Sequence, residues 1–225
     1  MVPLSKSGLR ASGAWVRIPP SPPLDRLGPM DKITDRSEKQ VTKPNLTDLM
    51  SADPKIKYAC AKSLLALANE DPRELYPELA FFAKLLDGEN KILKWTAIDI
   101  IGALARVDKA RAVDKLMGRI VALLSSGNMI TAHHAIKALT DIAAARPKYL
   151  AAITDELLKV EHYNYDTGEC RNITIGKVIL AIDTYFSRLE SKEAVLEFVR
   201  RQTKNTRNAT RKKAEQFLKK HHRQN

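Results

Sequence analysis

Residues 91–106 read Lys-Ile-Leu-Lys-Trp-Thr-Ala-Ile-Asp-Ile-Ile-Gly-Ala-Leu-Ala-Arg, and this stretch has the clearest helical period in the chain. At about 100° per residue, one side of the helix is apolar and consists of Leu93, Ala97, Ile100, Ile101 and Leu104. The opposite side is mixed in character and consists of Trp95, Asp99, Gly102 and Arg106. We expect the apolar side to pack on neighbouring helices and the mixed side to stay open.

The same pattern recurs along the chain. Small residues take the position of Ala97 in the other copies, as close packing of helices requires: Cys60, Ala135, Gly176 and Ala214. Successive copies are 37 to 41 residues apart, which leaves room for two helices in each. Periods of this length are typical of α-solenoids. We therefore predict an all-α, right-handed solenoid of about five helix pairs.

The inner helices are predicted to begin with Asp53 as N-cap and Pro54, and then to cover residues 90–106, 128–146, 171–189 and 206–221. Outer helices are predicted over residues 109–126 and 191–204, the last with Ser191 as its N-cap.

The recurring helix resembles the second helix of the HEAT repeat, which reads roughly apolar-Arg-x-x-Ala-x-x-Ala-Leu-Gly. Residues 93–104 match best, and the resemblance covers about residues 54–221. It implies an armadillo-like helical array in which the second, inner helices line the concave side. Because such repeats mostly serve as binding scaffolds, the resemblance also implies a binding protein.

The formal net charge of +12 is concentrated at the C-terminal end. Residues 30–199 hold 24 basic and 24 acidic residues, whereas residues 200–225 hold ten basic and one acidic residue. No apolar run approaches the roughly 20 residues that span a bilayer, so we expect no membrane contact. Two cysteines, Cys60 and Cys170, form no disulfide or metal-ligand framework, which fits the cytoplasm. We predict no metal site and no cofactor.

The N-terminal residues differ from the repeats. Residues 1–29 are rich in Pro, Gly, Ser and Arg and lack the apolar core of a signal peptide. Residues 16–19, Val-Arg-Ile-Pro, are what the T-arm of a transfer-RNA gene encodes when it is translated. This favours Met30 as the true start, with a mitochondrial transit peptide as the alternative. We predict a disordered extension over residues 1–43, the solenoid over 44–221 and a basic tail end over 222–225.

The open side of the inner helices is the candidate binding surface. In the register set by the small residues, Tyr58, Trp95 and His133 form one row, and the fourth helix contributes Thr174 and Val178. Aromatic and charged groups side by side on a concave surface suit capture of a protein partner. The predicted partner-binding residues are Tyr58, Lys62, Trp95, Asp99, Arg106, His133 and Lys137. The alternative is that the aromatic rings only pack between adjacent helices.

The basic C-terminal segment supports a second hypothesis, which is contact with nucleic-acid phosphates. The candidate residues are Arg200, Arg201, Lys204, Arg207, Arg211, Lys212, Lys213, Lys219 and Lys220. The competing interpretation is a polar terminal helix of the kind that keeps a solenoid soluble.

Trp95 and Asp99 lie one helical turn apart and resemble the Trp–Asp pair of HEAT-like alkylpurine DNA glycosylases. The resemblance implies a ring that faces a cationic lesion and a carboxylate that supports cleavage of the sugar bond. That family also uses further aromatic residues and an arginine from a neighbouring repeat, where this chain offers His133 and Lys137. We therefore expect a non-catalytic protein and keep an enzyme of this kind as a second alternative.

Overall fold

A computed structural model describes residues 44–221, so the predictions for residues 1–43 and 222–225 lie outside the described residues. The described part contains α1 (Leu46–Leu49), α2 (Pro54–Glu70), α3 (Leu79–Leu85), α4 (Lys91–Leu104), α5 (Met117–Ala122), α6 (Met129–Ala145), α7 (Leu150–Leu158), α8 (Gly168–Asp183), α9 (Glu193–Gln202) and α10 (Asn208–His221). Short 3₁₀ turns cover Pro72–Glu74, Tyr76–Glu78, Val113–Leu116, Leu123–Ser125, Pro147–Tyr149, Lys159–His162 and Phe186–Arg188. No strand occurs between residues 44 and 221.

The helices form five consecutive pairs. The inner helices are the even-numbered ones, α2, α4, α6, α8 and α10, and they pack side by side in chain order. Each inner helix packs on the odd-numbered, outer helix that precedes it. This arrangement confirms the predicted all-α solenoid of about five helix pairs. No helix in the described range is long and apolar enough to cross a membrane.

The first three inner helices begin where the sequence predicted. Asp53 caps α2, because its Oδ1 accepts the backbone N–H of Lys55 at 2.8 Å. Asn90 caps α4, because its Oδ1 accepts the N–H groups of Ile92 and Leu93. Side-chain oxygens at this position satisfy N–H groups that have no partner within the helix. The fourth inner helix, α8, begins at Gly168, three residues before the predicted Arg171.

The outer helices are shorter than predicted. A continuous helix was expected over residues 109–126, but the α-helical part begins only at Met117. Arg111 has a left-handed backbone with φ 57°, and the Asp108 carboxylate binds the N–H groups of Ala112 and Val113, so this connection is a turn. The last outer helix begins at Glu193 with no side-chain cap, so the prediction of Ser191 as its cap was wrong.

The five small residues of the repeat, Cys60, Ala97, Ala135, Gly176 and Ala214, are all buried. The tightest glycine contact lies between α4 and α6, where a Cβ atom at Gly102 would lie 2.6 Å from Ala138 Cα. The sequence placed Gly102 on the open side of its helix. The structure instead buries it in the helix interface, where the absence of a side chain permits the close approach.

Arginines near the ends of the inner helices bind the preceding repeat. The Arg106 guanidinium donates to the carbonyl oxygens of Ala68 at 2.7 Å and Asn69 at 3.0 Å. Arg146 donates to the carbonyl oxygen of Asp108, and Arg188 donates to that of Ala144 at 3.4 Å. These bonds satisfy carbonyls near or beyond helix ends that have few other partners.

Candidate functional site

An open pocket of about 300 Å³ lies between α2 and α4, with one residue contributed by α6. Its walls are Tyr58, Ala61, Lys62, Leu65, Ile92, Trp95, Thr96, Asp99 and His134. Tyr58 is 56% exposed, which is unusual for an aromatic side chain beside a core. The pocket therefore combines an apolar wall with a carboxylate, an imidazole and an ammonium group.

The Trp95 ring is held on two sides. Its Nε1 donates to Thr131 Oγ1 at 2.9 Å, and the Thr131 hydroxyl in turn bonds Asn128 Oδ1 at the start of α6. The His134 ring stacks on the indole, with ring centroids 5.5 Å apart and planes inclined by 11°. The indole is thus fixed before any ligand binds, and it lines the pocket in that orientation.

Asp99 brings an incompletely satisfied carboxylate to the pocket. Its Oδ2 lies 3.0 Å from His134 Nδ1, and the side chain is 12% exposed. Its other oxygen, Oδ1, is buried and has no hydrogen-bond partner among residues 44–221. A buried acceptor without a partner is costly, and because Oδ1 has almost no accessible surface, it is not open to a bound ligand.

The two adjacent histidines of α6 face different neighbours. The sequence placed His133 in the row of Trp95, but the structure places His134 there. His133 turns toward α8, where its Nε2 lies 3.3 Å from Thr174 Oγ1. Burial, together with the positive charges of Lys177, His134 and Lys213, lowers the pKa of His133 to about 4.

The fourth inner helix also presents a different strip from the predicted one. Thr174 and Val178 were expected on the open side, but both are fully buried. The exposed residues of α8 include Lys177 and Leu180 instead. Aromatic rows therefore do not continue along the array in the predicted register.

The structure brings four predicted partner-binding residues together in the pocket: Tyr58, Lys62, Trp95 and Asp99. Lys137 lies outside it and pairs with Asp141 at 2.9 Å. Arg106 is occupied by the carbonyl groups at the end of α2, so it acts as a cap rather than as part of the pocket. The binding role of all these residues stays a prediction.

The basic C-terminal residues divide into two groups. Five bind within the protein: Arg200 to Glu193, Arg201 to Glu161, Arg207 to Glu169, Arg211 to backbone carbonyls and Lys220 to Asp183. The other four have no ion pair with any residue from 44 to 221: Lys204, Lys212, Lys213 and Lys219. Burial and the charges of Arg207 and Lys177 lower the pKa of Lys213. Three of these bonded residues, Arg201, Arg207 and Lys220, fasten the last helix pair to the preceding repeat.

Two solved structures resemble the whole array. A designed armadillo repeat protein in complex with the peptide (KR)4 has a TM-score of 0.52 and 17% identity, with 77% of this chain and 79% of that chain covered. Another designed armadillo repeat protein has a TM-score of 0.50 and 20% identity, with the same coverage.

The fold is an armadillo/HEAT-like repeat solenoid. At these identities the likeness extends to the fold alone. No protein-family model matches the sequence, and neither does any curated protein. Within the described residues, no group of three or more His, Cys, Asp or Glu side chains is arranged to hold a metal ion.

Proposed function

We propose that the chain is a non-catalytic scaffold that binds a protein partner on its concave face. The pocket between α2 and α4 carries the proposal, because it places the exposed ring of Tyr58 beside the fixed ring of Trp95. Exposed aromatic residues that are held in place are typical anchors of protein interfaces. Fixing the indole beforehand also lowers the entropy that binding must overcome.

The walls of the pocket indicate the chemistry of the occupant. Leu65, Ile92 and Trp95 favour a flat apolar group, and the carboxylate of Asp99 in the wall, whose side chain is 12% exposed, favours a hydrogen-bond donor or a cation on that group. A side chain with both features, presented on an extended segment of the partner, meets both demands. A similar designed armadillo repeat protein is in complex with a peptide, which supports a peptide segment as the occupant.

The test is a selection from a displayed peptide library against the full chain, followed by affinity measurements on single variants. Trp95→Ala and Tyr58→Ala are each expected to weaken selected peptides at least about tenfold. Leu180→Ala is the matched control, since Leu180 is an exposed apolar residue on a different inner helix. Peptides that bind Trp95→Ala as well as the unchanged chain would refute the proposal.

A second candidate function is nucleic-acid binding by the basic C-terminal segment, which includes α10. It is favoured by Lys204, Lys212 and Lys219, which are exposed and have no ion pair within the described residues. Binding of this kind falls steeply as salt concentration rises, whereas binding in the apolar pocket does not. Affinity for labelled duplex and single-stranded DNA and RNA, measured over a range of salt and with Lys212→Gln, separates the two candidates.

The glycosylase-like alternative has a direct test. The stacked His134 ring covers part of the Trp95 surface that a cationic base would use, so we rank this alternative third. If it held, Asp99→Asn would stop release of alkylated bases without loss of the fold.

Both cysteines are free thiols, which supports a reducing compartment such as the cytoplasm.

A further inference from the structure

A second recess, of about 380 Å³, lies where the connections that follow α2, α4 and α6 meet. Its lining residues are Arg73, Arg106, Val107, Asp108, Lys109 and Arg146. Four of these six residues are cations, and they come from three successive connections of the array. The recess takes no part in the function proposed above.

Two of the guanidinium groups are held in place by the protein. Arg106 donates to the carbonyls of Ala68 and Asn69 and, through Nε, to that of Ala103 at 3.3 Å. The Arg146 side chain is 19% exposed, and its Nε lies 3.4 Å from Asp114 Oδ1. Side chains that are already ordered lose little entropy when a ligand binds.

The carboxylate in the recess is committed elsewhere. Asp108 is fully buried, and its oxygens accept hydrogen bonds from the Tyr76 hydroxyl at 2.6 Å and from two backbone N–H groups. Its nearest cation is Arg146, whose guanidinium lies 3.6 Å from Oδ2. Asp108 and Asp114 therefore both act on Arg146, and neither forms an ion pair with Arg73, Arg106 or Lys109.

Two cations of the recess, Arg73 and Lys109, are unpaired within the described part of the chain. The exposed side chains of Arg73 and Lys109 form no hydrogen bond or ion pair with any residue between 44 and 221. Arg106 partly offsets the negative end of the α2 dipole, because it binds carbonyl groups there. Arg73 and Lys109 bind no helix-end carbonyl among the described residues. Two exposed carboxylates, Glu70 and Asp71, lie in the adjoining recess, and Asp71 already caps the turn that contains Arg73.

We propose that this recess binds a compact oxyanion with at least two negative charges, such as a phosphomonoester or a diphosphate group. Planar guanidinium groups match the paired oxygens of such anions. A compact anion fits better than a phosphodiester strand, because the cations converge on one recess rather than follow a line. The anion can arrive free or on a phosphorylated side chain of a partner, and the experiment has an arm for each.

The experiment is a titration of the full-length ¹⁵N-labelled chain, at near-physiological salt, with sodium pyrophosphate and separately with O-phosphoserine. We expect saturable amide shifts centred on Arg73, Val107 and Lys109. Arg73→Gln and Lys109→Gln should each weaken pyrophosphate binding about tenfold, as loss of a charge-assisted hydrogen bond would. Both variants are expected to keep the fold, since neither side chain forms a hydrogen bond or ion pair with residues 44–221 that could be lost. A response to O-phosphoserine would indicate a partner-borne group, and a response to pyrophosphate alone a free anion.

The matched controls are the single variants Lys212→Gln and Lys219→Gln, each of which removes one positive charge from α10. These controls should leave pyrophosphate binding unchanged. The proposal is overturned if the shifts are centred on α10, if the Gln variants in the recess bind as well as the unchanged chain, or if millimolar pyrophosphate gives no saturable shift. Trp95→Ala should not alter pyrophosphate binding, so failure of the concave-face proposal is distinguishable from failure of this one.

Discussion

The ring of His134 lies almost parallel to the ring of Trp95, and the two side chains come from adjacent repeats. The same histidine lies 3.0 Å from the Asp99 carboxylate, so it orders both polar and aromatic parts of the pocket. We expect His134→Ala to lower the free energy of unfolding by about 1–2 kcal/mol, because a stacked pair and a charge-assisted contact are lost. Urea denaturation measures this change.

Trp95 fluorescence gives a second measurement on the same variant. In a Trp15→Phe background, Trp95 is the only tryptophan left, and its emission should shift to the red when His134 no longer covers it. His162→Ala is the control, since the His162 side chain is 77% exposed. Unchanged emission in His134→Ala would contradict the role assigned to the stack.

Gly102 should tolerate no side chain. A Cβ atom there would lie 2.6 Å from Ala138 Cα and 2.9 Å from its Cβ, so α4 and α6 would have to move apart. We expect Gly102→Ala to lower the free energy of unfolding by about 1–3 kcal/mol. Gly118→Ala in α5 is the matched control, because nothing lies within 4 Å of its Cβ position. Equal urea midpoints for the two variants would refute this account.

Arg111 occupies a left-handed backbone conformation with φ 57°, which suits glycine better than arginine. We expect Arg111→Gly to leave stability unchanged or raise it by up to about 1 kcal/mol. Arg111→Val should lower stability by more than about 1 kcal/mol, because a branched side chain is poorly accommodated there. Urea denaturation of both variants checks the prediction, and a less stable Gly variant would contradict it.

We expect the buried His133 to make the folded protein less stable in mild acid. Its pKa is about 4 in the folded protein, below the ordinary 6.5, because burial and the charges of His134, Lys177 and Lys213 oppose protonation. The unfolded chain therefore binds more protons between about pH 6.5 and 4, and stability falls as pH is lowered through this window. His133→Gln keeps a hydrogen-bonding group toward Thr174 and should flatten this part of the curve.

The measurement is the urea midpoint as a function of pH, with His162→Gln as the control for an exposed histidine. Protonation of two carboxylates, Asp114 and Asp183, would also lower the free energy of unfolding, but only at lower pH. Burial opposes ionisation of Asp114 and Asp183, but hydrogen bonds and nearby cations outweigh it and lower the pKa of both. A His133→Gln curve that coincides with that of the unchanged chain would refute the assignment.

The helical array was predictable because its signal is periodic. Five small residues at nearly equal spacing identified every inner helix, and the caps Asp53 and Asn90 marked where two of them begin. The outer helices were predicted less well, since prolines and the Asp108 turn shorten them in ways that composition does not reveal.

The rotation of one inner helix against the next was not predictable from a single repeat pattern. The spacing of the small residues indicates which residues of successive inner helices lie side by side. It does not indicate how far each helix is rotated about its own axis, and therefore which side chain faces the next helix. His134 rather than His133 therefore meets Trp95. In α8, Gly176 faces α10 and Thr174 faces α6, so the open strip falls between them, at Lys177.

The arginine bonds between repeats all run in one direction along the chain. Arg106, Arg146 and Arg188 each reach back to carbonyl groups of the repeat before their own. A ribosome releases the earlier repeat first, and that repeat remains without these bonds until the next arginine has emerged. During synthesis, each repeat therefore gains its full set of these hydrogen bonds only after the next repeat has emerged. Deletion from the C-terminal end leaves carbonyls without their donors, whereas deletion from the other end leaves arginines that water can solvate.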